Sequence, residues 1–81
     1  METLRVNGRN VEVEEVGEDV ALRCRVLKVV DGDEYFFEAL VSTGPYKIDV
    51  PYVQRMSEEE VAAFKAGRID MARLARELTG E

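Results

Sequence analysis

Arg23, Arg25 and Lys28 are the residues whose type and spacing first suggest chemistry in this chain. If the segment is a strand, residues 23 and 25 share a face, and with Lys28 they would form a basic ridge. Tyr35, Phe36, Phe37, Tyr46 and Tyr52 follow on neighbouring segments. Arginines beside aromatic rings are what a small β-domain needs to stack single-stranded nucleic acid. The same residues serve equally well in a plain sheet. The arginines would then pair across strands with Glu12, Glu14 or Glu38, and the rings would fill the core. Which way the aromatics point separates the two readings.

Two further groups are reactive types. Cys24 lies between Arg23 and Arg25, and nearby positive charge activates a thiol. Strand alternation sends both arginines to the face opposite the sulfur, so a buried, inert cysteine is expected. Asp31, Asp33 and Glu34 cluster around Gly32. Hard cations want several oxygens, but this loop lacks the ligand spacing of a calcium loop. Asp31-Gly32-Asp33-Glu34 reads as a hairpin turn instead.

The remaining chemistry is limited by what is missing. The chain has one cysteine and no histidine. One molecule therefore cannot make a disulfide, a zinc site of the usual Cys/His kind, or a histidine base. No pair of carboxylates has the spacing of an acid–base pair, and no phosphate-binding loop is present. No catalytic, cofactor or metal residue is assigned, and no small-molecule substrate is identifiable. An enzyme assembled between two copies is the only catalytic route left, and no residue supports it.

The formal net charge is −6, divided as −4 over residues 1–20, zero over 21–56 and −2 over 57–81. That field repels duplex DNA and anionic membrane. No apolar run reaches the roughly 20 residues that span a bilayer. The N-terminus has neither the basic start nor the apolar middle of a secretion signal. A reducing cytoplasm is the expected compartment.

The elements that must carry these residues can be read from turn and cap chemistry. Leu4 to Val6, then Asn7-Gly8, then Val11 to Glu14 reads as a β-hairpin, because both turn residues tolerate positive φ. Gly17-Glu18-Asp19 interrupts the pattern. Val20, Leu22, Cys24 and Val26 then alternate with polar or small residues, giving a half-exposed strand whose register blurs at 27–30. A helix over 19–30 competes, with Asp19 as its cap. The β-branched content and the turn that follows favour the strand. Tyr35 to Val41 is a nearly continuous apolar strand, hence central. Tyr46, Ile48, Val50 and Tyr52 alternate in a last strand, with Pro51 marking its end or an edge.

Val6-Asn7-Gly8-Arg9, following an amphipathic strand, resembles the opening hairpin of the β-grasp iron–sulfur domains. That resemblance would imply a cluster held by several cysteines, and only Cys24 is present. The segment is read as a generic hairpin.

From Met56 onward the pattern changes to helix. Ser57 with Glu60 is a capping box, and Met56 with Val61 a hydrophobic staple. Gly67 suits a helix end. Asp70 caps a second helix, with Ile69 and Leu74 as its staple. Met71, Leu74, Ala75 and Leu78 form an apolar stripe opposite Arg73, Arg76 and Glu77. The acidic start of the second helix argues against a DNA-reading helix-turn-helix.

The expected fold is α+β. A small antiparallel meander of four or five strands, barrel-like if it curls, is followed by two short helices. One domain covers 1–81, with its sheet over 1–55 and its helices over 56–81. So short a chain buries only about 60% of its unfolded surface, and it has no staple. The expected function is a small cytoplasmic, non-enzymatic protein-interaction or regulatory module that self-associates. Its partner is a second copy or another protein, met through Phe36, Tyr46, Tyr52, Met71, Leu74 and Leu78. The alternative is single-stranded nucleic-acid binding on Arg23, Arg25 and Lys28.

Overall fold

The computed structural model describes residues 1–80; Glu81, the end of the expected helical part, lies outside them. Five antiparallel strands form one curled half-barrel: β1 (Glu2–Val6), β2 (Arg9–Asp19), β3 (Cys24–Val29), β4 (Tyr35–Thr43) and β5 (Ile48–Arg55). They pair in chain order, so β1 and β5 are the two edges. Helices α1 (Glu58–Lys65) and α2 (Met71–Thr79) follow.

Both local signals that anchored the reading have their expected geometry. Asn7 and Gly8 sit at φ +50° and +80°, the type I′ combination that matches strand twist. The hydroxyl of Ser57 accepts from the Glu60 amide, and the Glu60 carboxylate accepts from the Ser57 amide. At the other end of α1, Arg68 N–H donates to Ala63 and Gly67 N–H to Phe64, with Gly67 at φ +71°. This is the paired bonding that closes a helix through a left-handed residue. The Asp70 side chain accepts from the Arg73 amide and starts α2.

The middle of the chain departs from the expected boundaries. β2 does not stop before Gly17 but runs on to Asp19, with a bulge between Glu15 and Gly17. Val20 to Arg23 form a turn rather than a strand, and no helix covers 19–30. Asp19 does cap locally, accepting from the Leu22 amide, so its side chain stabilises a turn where a helix was weighed. The irregularity expected at 27–30 lies instead at Val16. β5 also continues through Pro51, which faces Leu40 across the ladder. An edge strand tolerates proline because its outward side needs no donor.

Each face of the sheet has its own core. Val26, Phe37 and Ala39 point toward the helices, where Phe64, Leu74 and Leu78 pack on them. Val13, Leu27 and Phe36 point into the curl, covered by Leu4, Val6 and Val53. Gly17 faces the helix side. A Cβ there would stand 2.8 Å from the Phe64 ring, which itself lies 6.1 Å from Tyr35, centroid to centroid. The glycine makes room for the ring.

In a urea denaturation series, Ser57→Ala and Asp70→Ala should each cost about 1 kcal/mol by exposing helix amides. Gly17→Val should cost about 2 kcal/mol through overpacking against Phe64. Neutral values for all three would contradict the cap and ring geometry.

Candidate functional site: the charged half of the curled face

Along β3 and β4 the inner face changes character. Leu27 and Phe36 pair at one end and are sealed in the curl. The next pair on that face, Arg25 opposite Glu38, is charged. Arg25 Nε donates to Glu38 Oε1 at 2.7 Å, and Arg25 Nη2 to Glu2 Oε2 at 2.7 Å. A second bond to each carboxylate makes both contacts two-pronged, the geometry in which a guanidinium binds carboxylates most strongly. Glu15 lies 3.4 Å from the same guanidinium. Arg25 thus ties β1, β2 and β4 together from β3.

Glu38 is 8% exposed, so its charge is held inside only because Arg25 answers it. Hydrogen bonds from Arg25 hold the Glu2 carboxyl below the usual range, against a smaller opposing effect of burial. The same two carboxylates push the arginine further above its already high value. Beyond them Arg23 pairs with Asp49, which also accepts from the Ser42 hydroxyl at 2.8 Å. Ser42 first and Arg23 second lower the Asp49 carboxyl.

Of these groups, Glu15, Arg23, Arg25 and Glu38 line an open groove of about 580 Å³ with Val20, Leu40 and Pro51. The curl is filled at one end by Leu27 and Phe36 and is unfilled at this one. At this end of the sheet large apolar side chains stay exposed: Val20 and Leu40 in the groove wall, Tyr46 at 85% in the β4–β5 turn, and Leu22 and Ile48 toward the helix side. The turns carrying Val20, Leu22 and Tyr46 lie at the same end of the meander, since alternate turns of an antiparallel sheet share an end.

The residues singled out in the sequence are therefore dispersed. Phe36, expected at a contact surface, is 3% exposed and part of the inner core. Met71, Leu74 and Leu78 pack on the chain's own sheet, where they cover that face together with Val61 and Phe64 of α1. Tyr46 stays on the surface, and Tyr52 is exposed at the edge. Arg23 and Arg25 do share a face, but both are neutralised by carboxylates. Lys28 does not join them. Its ammonium donates to the Val29 and Gly32 carbonyls and ties down the β3–β4 turn. Tyr35, Phe36 and Phe37 are buried, so none of these three rings is open for a base to stack on.

Cys24 is buried, and burial first, then the charge of Asp19, pushes its thiol up. Among the described residues no cluster of acidic, cysteine or histidine side chains is arranged to hold a metal ion, and no helix is long and apolar enough to cross a membrane. Glu38 is the one charge within an otherwise apolar strand run, and that break in pattern was the signal for the inner ion cluster. The roles of Glu2, Glu15 and Pro51 had no such signal, because they depend on how far the sheet curls. No family model matches the chain, and no curated protein or solved structure matches it either.

Arg25→Met should destabilise the fold by about 3 kcal/mol, because Glu38 is left buried without a counter-charge. Adding Glu38→Leu should recover most of that loss, and the double-mutant cycle measures the coupling. Glu2 and Asp49 have folded values below their unfolded ones, so they stabilise the fold above about pH 4. That stability is lost as pH falls through the lowered values. The thermal midpoint should therefore drop on acidification below about pH 4, and less so in Glu2→Gln/Asp49→Asn.

Proposed function

We propose that this chain is a small non-enzymatic protein-interaction module that associates with a second copy through the end of the sheet carrying Val20, Leu22, Tyr46 and Ile48. The observation that supports this is the concentration of exposed apolar side chains at that end, next to a groove with Leu40 and Pro51 in its wall. The helix stripe that could have served the same purpose is occupied by the chain's own sheet. A short chain without disulfide or metal gains most from covering such groups with another molecule. A two-fold contact is the simplest arrangement, since one patch then serves both sides.

Side chains rather than backbone would make the contact. Pro51 sits in the middle of edge strand β5 and interrupts any ladder that a further strand would add there. The alternative reading, single-stranded nucleic acid on Arg23, Arg25 and Lys28, finds no support in the neutralised arginines, the diverted lysine or the buried rings. The acidic total weighs against it as well.

Sedimentation at high micromolar concentration should show a dimer in reversible exchange. Tyr46→Ser/Ile48→Glu should sediment as a monomer with an unchanged thermal midpoint, because both residues are exposed. Leu74→Glu should instead unfold the chain by burying a charge. A wild-type monomer at that concentration would overturn self-association and leave the same surface to a different protein.

A further inference from the structure

At the opposite end of the sheet, the hairpin joining β1 and β2 approaches the end of β5 across a cleft of about 470 Å³. That is within the range of small-ligand pockets. Its lining is unlike that of the rest of this acidic chain. Arg5, Arg9, Arg55 and Asn7 stand around Val6, Phe36 and Val53, and Glu34 is the one carboxylate among the lining residues. We infer that this cleft binds an amphipathic anion, with its charged head between Arg9 and Arg55 and its apolar body on the partly buried Val6 and Val53.

The register puts the two arginines where that requires. Arg9 is the cross-strand partner of Val6, and Arg55 that of Phe36. Such partners share a face, and Val6 and Phe36 both belong to the core inside the curl. Arg9 and Arg55 therefore project from the inner face on opposite sides of the gap that the half-barrel leaves open. The Asn7-Gly8 turn, with both residues at positive φ, fixes where Arg9 starts.

Neither arginine is committed elsewhere as Arg25 is. Among the described residues Arg9 has no carboxylate within ion-pair distance, and Arg55 meets Glu34 only at 3.6 Å with its side chain 69% exposed. Arg5 is held by a single bond to Asn10 at 3.2 Å. An anionic head would gain two charge-assisted partners without breaking a close pair. The overall negative charge does not forbid this, because carboxylates more than about 8 Å away are largely screened at physiological salt. Carboxylate and phosphate heads satisfy the same guanidinium geometry, so the class is an anionic head on an apolar body.

The test is a titration of the full chain followed by backbone amide NMR, using sodium octanoate, octyl phosphate, inorganic phosphate and octylammonium. Octanoate or octyl phosphate should shift the amides of Val6, Asn7, Arg9, Phe36, Val53 and Arg55 saturably, and whichever binds tighter identifies the preferred head. Hexanoate should bind about tenfold more weakly than octanoate if the two lost methylenes lie on the apolar floor. Inorganic phosphate should bind more weakly than octyl phosphate, and octylammonium should leave these amides unmoved. Arg9→Gln and Arg55→Gln should each weaken octanoate about fivefold, the most an exposed ion pair supplies, with thermal midpoints unchanged. Arg68→Gln, remote from the cleft, should bind as wild type does. Absence of saturable shifts for both amphipathic anions, equal binding of octylammonium, shifts centred on the Leu40–Pro51 groove, or unaltered affinity in both arginine variants would overturn the assignment.

Discussion

The β3–β4 hairpin is apolar on both faces, and the rest of the structure covers it. Val26 and Phe37 face one way and Leu27 and Phe36 the other, all nearly inaccessible to solvent. A flat sheet with one wet face would expose half of these groups, and burying a side chain of this size is worth about 2 kcal/mol. Two covers are therefore required from a short chain. The helices supply one, and the sheet supplies the other by curling so that Leu4 and Val6 from one edge and Val53 from the other pack over the same inner cluster.

That solution divides the inner face. Where the first hairpin reaches, the curl is filled with aliphatic groups. Farther along the same face Arg25 and Glu38 take over, with Glu2 at the start of β1 as a third member. Placing the charged pair here also fixes the alignment of the strands. A one-residue slip between β3 and β4 would turn Glu38 toward the helix-covered core, with Val26 and Phe64 around it. The ion cluster fills the part of the inner face where the aliphatic core stops.

The two ends of the sheet differ in consequence. At one, an open groove lined with carboxylates lies beside turns and an edge that leave Val20, Tyr46 and Ile48 exposed. At the other, uncommitted arginines border an apolar gap between the two edges. Both arise from the same incompleteness: a sheet of five strands curls far enough to approach closure but leaves space at each end of the trough. Pro51 limits what can be done with the open edge, which favours recognition by side chains over recognition by added strands.

The α+β class, the order of strands before helices, the first hairpin and both helix caps are set by local chemistry, and the residues themselves declare them. Asn7-Gly8 fits its turn because of backbone freedom, and Ser57 with Glu60 closes a helix by bonds spanning three residues. The strand limits near Gly17 and Val20 were not legible, whereas Pro51 stands on an edge, one of the two places expected for it. A bulge at Val16 and a glycine under the Phe64 ring are outcomes of packing between distant segments. The candidate sites divide in the same way. Alternation along β3 places Arg25 on the face opposite Cys24, whereas Arg23 is placed by the turn before β3, at φ +56°. Their neutralisation by Asp49, Glu2 and Glu38, the burial of Phe36, and the placing of Arg9 and Arg55 on one cleft were decided by tertiary packing. Sequence spacing specifies which side of a strand a residue takes, whereas the curvature that brings β1 toward β5 comes from burying two faces at once.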